Sequence, residues 1–236
     1  MSQSRDLILC LSGWAQKHDS LEAIFDYTNF FEKYTIKSLD YSALTCADAF
    51  FDELKNYHNC QIAIGWSLGG QLLLRSIAQQ LIKPKYLILL APPFQMLKDH
   101  RINSGMPQEL YRKVQNALQQ NSIVFLRDFL ALMAKNDRNA RQIIEDLAVN
   151  EENFHNLKFW YEELCNFSCF DIDFSLMPRT LYFHGHGDAV VHISQKDYFA
   201  SKINDFQEIT FEKCGHAPHI SHLQEMRKAI EIFLQE

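Results

Sequence analysis

The chain has 236 residues, of which 47% are hydrophobic and 22% are charged, and its formal net charge at pH 7 is −6. This length suits one domain with an insertion, and the ordinary composition argues against a disordered or fibrous chain. The acidic balance argues against general binding to nucleic acid or to an anionic membrane. We therefore expect a globular protein that folds alone, as a monomer.

The N-terminal segment carries no pattern typical of export. Residues 1–6 are polar, and the apolar run at 7–11 is too short for the core of a signal peptide or for a membrane span. The six cysteines are scattered, and several lie in apolar segments. Because buried, reduced thiols are typical of cytoplasmic proteins, the sequence predicts a cytoplasmic protein.

Apolar segments of strand length alternate with segments of helical periodicity over the first 93 residues. The predicted strands are 6–12, 34–39, 61–64 and 86–91, and the predicted helices lie near 21–25, 47–57 and 72–81. Near-continuous apolar strands that alternate with amphipathic helices are typical of a parallel sheet covered on both faces. The sequence therefore predicts the α/β class.

The strand pattern stops after the proline pair at 92–93. The next predicted helices are 108–119, 123–134, 139–147 and 153–164, with no convincing strand between them. The alternation resumes with a strand at 179–184, a helix at 195–203, a strand at 207–212 and a helix at 221–234. We predict an α/β core formed by residues 1–93 and 175–236, interrupted by a helical lid at 94–174.

The strongest motif is Gly-Trp-Ser-Leu-Gly-Gly at residues 65–70, between a predicted strand and a predicted helix. A Gly-x-Ser-x-Gly turn in this position is typical of a nucleophile elbow, whose glycines let the entering and leaving chain pass closely. The hydroxyl of Ser67 would stand at a helix N-terminus, where the helix dipole favours the negative charge of acyl transfer. The three fixed residues of Gly-x-Ser-x-Gly occur together by chance in roughly one chain in twelve of this length. The prediction of a nucleophile elbow therefore depends on the strand before the motif and the helix after it.

A nucleophilic serine needs a base that takes its proton and an acid that orients the base. Asp188 follows the fifth predicted strand in a glycine-rich stretch, and His216 follows the last predicted strand. Because open α/β sheets place their sites at the carboxyl ends of strands, we predict a triad of Ser67, Asp188 and His216. Turn capping is the alternative role for Asp188, and Asp173 and Asp197 are nearby rivals for the acid.

Two backbone N–H groups are candidates for an oxyanion hole. Leu68 directly follows the nucleophile, and Trp14 lies in the loop after the first predicted strand. A loop turn without catalytic duty is the alternative for Trp14.

A metal site is the alternative interpretation of two histidine-rich loops. Their candidate ligands are His184, His186, Asp188, His216, His219 and His222. None of them forms a standard zinc motif, so we predict no metal and no other cofactor.

Three stretches together point to a narrower group. They are the 65–70 motif, the lid segment with Phe-Leu-Ala-Leu at 129–132 and Ala-Arg-Gln at 140–142, and His-Ala-Pro-His-Ile-Ser-His at 216–222. In these stretches the chain resembles the pimeloyl-acyl-carrier-protein methyl ester esterases of bacterial biotin synthesis. The Gly-x-Ser-x-Gly element is shared by the whole α/β-hydrolase superfamily, so the other stretches carry the narrower resemblance.

The resemblance implies an α/β-hydrolase fold and a cytoplasmic serine carboxylesterase that demethylates a pimeloyl thioester on acyl carrier protein. It implies a site that consists of Trp14, Ser67, Leu68, Asp188 and His216. It also implies that Phe129 lines the acyl channel and that Arg141 faces the carrier protein, and we predict Arg138 as a second contact with that protein.

The chain departs from the family pattern in three places. Only Arg141 clearly matches the lid arginines of the family, with Asp128 and Glu145 at neighbouring positions, and His219 stands where the family has Phe. We also expect the usual N-terminal hairpin of the family to be absent or reduced. Residues 98–141 nevertheless contain eight basic and four acidic residues, a balance of +4 that suits an acidic partner. A solvated helix face without a partner is the alternative interpretation.

Two other functions remain open at this stage. One is an esterase or lactonase that acts on small free metabolites, and the other is a binding module on an inactive hydrolase scaffold. The presence of all three triad residue types in the expected order disfavours the binding module.

Overall fold

The computed structural model describes residues 6–26, 29–120, 122–147 and 156–236. Its centre is a six-stranded sheet with the order β2-β1-β3-β4-β5-β6, in which every neighbouring pair is parallel. The strands are β1 Asp6–Leu11, β2 Tyr34–Ser38, β3 Ile62–Trp66, β4 Tyr86–Leu90, β5 Arg179–Gly185 and β6 Phe206–Phe211. The predicted α/β class and parallel sheet are confirmed.

Helices cover both faces of this sheet. They are α1 Ala47–Leu54, α2 Leu68–Ala78, α3 Gln108–Gln120, α4 Ser122–Met133, α5 Ala140–Asp146, α6 Leu157–Asn166, α7 Lys196–Ala200, α8 Pro218–Ser221 and α9 Leu223–Gln235. None of the helices in the described ranges is both long and apolar enough to cross a bilayer.

The core consists of two clusters, because successive side chains of a strand point to opposite faces. Leu9 and Leu87 belong to the cluster that contains Leu72 of α2. Their neighbours Ile8 and Ile88 belong to the other cluster, which α9 joins through its own apolar face. Strands β3 and β4 are therefore buried along their whole length, as their continuous apolar sequences predict.

Helices α3 to α6 lie between β4 and β5, within the segment 94–174 that we call the lid. In the described part of the lid, no strand joins the sheet. The first three lid helices begin and end within one residue of their predicted bounds. The fourth prediction began at 153, but residues 153–155 lie outside the described ranges and α6 begins at Leu157.

Several element boundaries differ from the predictions. The segment predicted as a helix near 21–25 is a single 3-10 turn, Glu22–Phe25. Helix α2 begins at Leu68, four residues before the predicted start. The prediction began later because the low helix propensity of glycine argues against a helix at Gly69 and Gly70, which in fact lie in its first turn. The last predicted helix, 221–234, corresponds to α9, which begins two residues later, at Leu223. The short helix α8 precedes it, and His222, with a φ of −128° and a ψ of 35°, separates the two.

All six cysteines are free. Five are buried and Cys46 is exposed. Burial raises the pKa of the Cys214 thiol to about 12, so this thiol is protonated at neutral pH.

Candidate active site

Ser67 occupies a strained turn between β3 and α2. Its φ of 53° and ψ of −118° lie outside the regions that residues with a Cβ ordinarily adopt. The turn is held by a hydrogen bond of 2.9 Å from the Ser67 N–H to the carbonyl oxygen of Leu90 on the neighbouring strand. Such strain persists only where the surrounding structure determines it, and it is typical of functional sites.

Glycines make this turn possible because the chain passes close to itself. A Cβ atom on Gly65 would lie 2.7 Å from the Cα of Gly70, and one on Gly69 would lie 2.1 Å from the carbonyl oxygen of Leu11. Both distances are far shorter than van der Waals contact. The local sequence therefore dictates the position of the Ser67 side chain.

Asp188 and His216 meet at the carboxyl ends of β5 and β6. The Nδ1 atom of His216 lies 2.7 Å from Oδ2 of Asp188, and both side chains are buried. The other carboxylate oxygen, Oδ1, accepts hydrogen bonds from the N–H groups of Val190 at 2.8 Å and Val191 at 2.9 Å. The structure thus brings the predicted acid and the predicted base into direct contact.

The electrostatics of Asp188 favour the ionised carboxylate. Burial by itself would raise the pKa of Asp188, but the charge interaction with His216 and the contacts with His184 and His216 outweigh it and hold the pKa well below its usual range. An ionised carboxylate can only accept hydrogen bonds, so the proton between Asp188 and His216 is carried by Nδ1 of His216. A neutral His216 therefore has its lone pair on Nε2, which is buried and has no hydrogen-bond partner among the described residues.

Trp66 connects the loop of His216 to the serine turn. Its indole Nε1–H donates a hydrogen bond of 2.8 Å to the carbonyl oxygen of His216, and the two ring centroids are 5.8 Å apart. Since Trp66 directly precedes Ser67, this bond ties the backbone of His216 to the residue next to the serine. No hydrogen bond joins Ser67 to Nε2 of His216 in the described part of the chain. The motif at 65–70 does not predict this contact of Trp66, because the two residues are 150 positions apart.

The two rival aspartates are engaged elsewhere. Asp173 accepts hydrogen bonds from the N–H and hydroxyl of Ser175, and it is exposed. Asp197 pairs with Lys196 at 3.1 Å on α7. In the described structure it is Asp188 that contacts His216.

The two oxyanion candidates lie on either side of the serine. Leu68 is the first residue of α2, where backbone N–H groups have no acceptor within the helix. The loop that contains Trp14 approaches closely, because a Cβ on Gly13 would lie 3.5 Å from the Cβ of Ser67. The N-terminus of α2 and the loop that contains Trp14 therefore both lie near the serine.

A cavity of about 490 Å³ opens beside Ser67 and Asp188. Its other walls are mostly apolar, with Ser104, Asp128 and His192 as polar exceptions. Phe129 of the lid and Trp14 of the core meet edge to face there, with ring centroids 5.1 Å apart. The Trp14 indole N–H donates to the carbonyl oxygen of Leu157, which fixes the ring against α6. A cavity of this size and character suits an apolar acyl chain.

A family model for the alpha/beta hydrolases matches residues 8–229, nearly the whole chain. The chain belongs to the alpha/beta hydrolase family. The predicted α/β-hydrolase fold is confirmed, and family membership supports a hydrolase activity.

Relatives of this hydrolase match at low sequence identity. The biotin biosynthesis bifunctional protein BioHC of Teredinibacter turnerae is 26% identical over 186 residues, which are 73% of this chain and 33% of that protein, so the chain spans about a third of its length. A pimeloyl-acyl-carrier-protein methyl ester esterase of Aliivibrio salmonicida is 24% identical over 249 aligned positions, covering 99% of this chain and 93% of the relative. The enzyme of the same name from Aromatoleum aromaticum is 24% identical over 203 residues, covering 78% of this chain and 77% of the relative.

Solved structures agree on the fold of the hydrolase. An esterase from Exiguobacterium antarcticum superposes with a TM-score of 0.83 at 15% identity, over 99% of this chain and 93% of that one. A bromoperoxidase from Bacillus anthracis superposes with a TM-score of 0.82, also at 15% identity and with the same coverage.

The turn between α4 and α5, residues 134–139, binds both loops that carry the candidate acid and base. The side-chain amide of Asn136 donates to the carbonyl oxygen of Gly187 at 2.9 Å. The N–H of Gly215 donates to the carboxylate of Asp137 at 2.7 Å. The lid of this hydrolase is thus attached directly to the loops of Asp188 and His216.

The two arginines predicted to contact a carrier protein have different surroundings. Arg138 donates to the carbonyl oxygen of Ser221 at 3.0 Å and pairs with Glu225 at 3.2 Å. Arg141 is 92% exposed at its side chain and pairs with Glu145 along α5. Arg138 therefore supports the segment after His216, whereas Arg141 faces solvent.

The histidine-rich loops do not form a metal centre in the described ranges, where no group of three or more His, Cys, Asp or Glu side chains could hold an ion. His186 is exposed and contacts Thr210 at 3.1 Å. His219 and His222 instead pack their rings against Trp66 and Phe211.

Proposed function

We propose that this hydrolase is a serine carboxylesterase that demethylates a pimeloyl methyl ester carried on acyl carrier protein, in biotin biosynthesis. One observation carries the esterase activity: the 2.7 Å hydrogen bond between Asp188 and His216, next to the strained Ser67 at the wall of the cavity. The choice of substrate is supported by the names of two relatives.

Catalysis would proceed by two acyl transfers. The Ser67 hydroxyl attacks the ester carbonyl carbon while Nε2 of His216 takes its proton, and Asp188 stabilises the resulting imidazolium. The N–H groups of Leu68 and Trp14 bind the oxyanion of the tetrahedral intermediate. His216 then returns the proton to the leaving methoxide oxygen, and methanol departs.

Water completes the reaction at the acyl-enzyme. His216 takes a proton from water, whose oxygen attacks the acyl carbon, and the same N–H groups stabilise the second oxyanion. Collapse of this intermediate breaks the bond to Ser67, which regains its proton from His216. The products are methanol and a free carboxylic acid on the carrier-bound chain.

The lid supports a carrier-bound substrate through its apolar wall and its charge. Phe129 lines the cavity that would hold the chain between ester and thioester. The balance of +4 over residues 98–141 would attract an acidic carrier protein to the first half of the lid, whereas residues 142–175 contain one basic and eight acidic residues. The exposed Arg141 is our candidate for direct contact with that carrier.

Labelling with a fluorophosphonate tests the nucleophile. We expect the probe to label the wild type and to leave Ser67→Ala unlabelled, because the probe forms a covalent bond with an activated serine. A wild type that fails to label would support the binding-module alternative.

The second candidate function, an esterase or lactonase for small free metabolites, is favoured by the engagement of Arg138 with Ser221 and Glu225. Turnover of the pimeloyl carrier methyl ester and of short p-nitrophenyl esters separates the two functions. We expect Arg141→Glu to lower kcat/KM for the carrier ester and to leave the p-nitrophenyl esters unaffected. Lys37→Glu, an exposed charge reversal on β2, is the matched control.

Carrier-ester turnover that is unchanged in Arg141→Glu would contradict the contact assigned to that arginine. Failure of the wild type to prefer the carrier ester over short free esters would favour the second candidate.

A further inference from the structure

A second histidine, His184, contacts Asp188. His184 lies on β5 and is completely buried. Its Nε2 atom is 3.0 Å from the carbonyl oxygen of Val191 and 3.1 Å from Oδ2 of Asp188. Its Nδ1 atom is 2.7 Å from the hydroxyl oxygen of Tyr182, which is also completely buried.

These neighbours fix the tautomer of His184. A carbonyl oxygen and a carboxylate can only accept, so Nε2 must carry a proton. In the neutral ring, Nδ1 is then an acceptor, and the Tyr182 hydroxyl supplies the hydrogen. Burial raises the pKa of Tyr182 well above its ordinary value, and the nearby charge of Asp188 adds to this effect, so the phenol stays protonated and donates.

His184 therefore holds Asp188 by two routes. Its N–H edge faces Oδ2, the same oxygen that His216 uses. It also donates to the carbonyl oxygen of Val191, and the N–H of Val191 donates to Oδ1 of Asp188 at 2.9 Å. Both carboxylate oxygens are thus oriented by contacts that depend on this imidazole.

We propose that His184 is a positioning residue that fixes the rotamer of Asp188 for its bond with His216, and that Tyr182 sets the tautomer of His184. This inference rests on the proposed function, because it assigns Asp188 the role of orienting the base. The four side chains form one buried chain of contacts from Tyr182 through His184 and Asp188 to His216.

Three variants test the inference. His184→Leu removes both contacts, His184→Gln restores a side-chain N–H near the position of Nε2, and Tyr182→Phe removes the donor to Nδ1. His186→Leu is the matched control, because His186 lies two residues after His184, just past the end of β5, and is exposed. Each variant is assayed for kcat and KM with a p-nitrophenyl ester, for its melting temperature, and by proton NMR for the low-field resonance of the Nδ1 proton of His216.

We expect His184→Leu to lower kcat roughly ten- to hundredfold, the effect of losing a hydrogen bond to a charged group, while KM changes less than about twofold. His184→Gln should recover most of this loss, and Tyr182→Phe should fall between wild type and His184→Leu. The low-field resonance should broaden or shift in His184→Leu and persist in His184→Gln and His186→Leu.

The proposal is wrong if folded His184→Leu keeps the wild-type kcat and resonance. If His184→Leu does not fold, a Tyr182→Phe protein that is identical to wild type in kcat and resonance overturns it instead. The NMR signal depends on the bond between Asp188 and His216 and not on turnover. A failure of the esterase proposal, seen as ester turnover that survives in Ser67→Ala, is therefore distinguishable from a failure of this inference.

Discussion

At the scale of single residues, His219 is an unusual group next to the candidate site. It is buried in α8, its ring packs on Trp66 with centroids 4.3 Å apart, and both of its ring nitrogens lack a hydrogen-bond partner in the described part of the chain. Burial lowers the pKa of His219 to about 3, and the nearby charge of His216 contributes to the shift. The imidazole is therefore neutral in the native protein at neutral pH.

This buried histidine predicts a pH-dependent stability. An unfolded histidine titrates near pH 6.5, so between that pH and about 3 the unfolded chain binds one proton more than the native state at this position. Stability should fall with decreasing pH across this window, by at most about 1.4 kcal/mol per pH unit from this group. Above pH ~6.5 the group contributes no pH dependence.

His219→Phe removes the titrating group and keeps an aromatic ring. We expect the variant to unfold at higher urea concentration than wild type at pH 7.5, because two unpaired buried nitrogens are lost. The difference should grow as the pH is lowered to 5. A difference that is constant over this range would show that His219 is not buried in its neutral form.

The candidate residues that the sequence predicts are those whose position is determined locally. Ser67 was predictable because its glycines leave the turn few alternatives, and Asp188 because it directly follows a strand end. The bond from Trp66 to His216 joins residues 150 positions apart, so no local pattern predicts it. The contacts of Arg138 are also not predictable from the local sequence. We predicted that this arginine contacts a carrier protein, whereas in the fold it pairs with Glu225.

At the scale of elements, the turn at 134–139 is hydrogen-bonded to the loops that carry Asp188 and His216, and we call this set of bonds the clamp. Asp137 accepts hydrogen bonds from the N–H of Gly215 and, at 2.7 Å, from that of Asn139. We expect Asp137→Ala to lower the free energy of unfolding by about 1–3 kcal/mol, because the buried Gly215 N–H loses its acceptor. It should also lower kcat, since Gly215 directly precedes His216.

Urea unfolding and p-nitrophenyl ester turnover measure both effects. Asp146→Ala is the control, because Asp146 is exposed on α5 and accepts from Gln142 within the same helix. Equal behaviour of the two variants would argue against the clamp.

The lid helix α4 should set the preference for acyl chain length. Phe129→Trp enlarges a side chain at the cavity wall, next to Trp14. We expect kcat/KM for long-chain p-nitrophenyl esters to fall on the order of tenfold relative to the acetate ester. Ile144→Trp, at an exposed position on α5, should leave the ratio unchanged. A uniform loss for all chain lengths in Phe129→Trp would contradict this role.

At the scale of the whole molecule, the charge is unevenly distributed. The chain carries −6 in total, while residues 98–141 carry a balance of +4. Attraction between this segment and an acidic carrier is long-ranged at low salt, since the Debye length is about 30 Å at ~0.01 M ionic strength and about 8 Å at ~0.15 M.

Salt should therefore separate the two kinds of substrate. We expect kcat/KM for the carrier ester to fall across that range of ionic strength, and kcat/KM for an uncharged p-nitrophenyl ester to stay constant. The carrier-ester dependence should be weaker in Arg141→Glu. A carrier-ester rate that does not respond to salt would contradict electrostatic attraction by the lid.

Helix α4 also has a consequence for how substrate enters. Its last residue, Met133, accepts a hydrogen bond of 2.9 Å from the backbone N–H of His216 through its carbonyl oxygen, and Phe129 one turn earlier lines the cavity. A swing of this helix away from the core would unseat the imidazole residue in the same movement. We therefore expect substrate to enter without displacement of α4, and we expect a partner that displaced this helix to lower turnover.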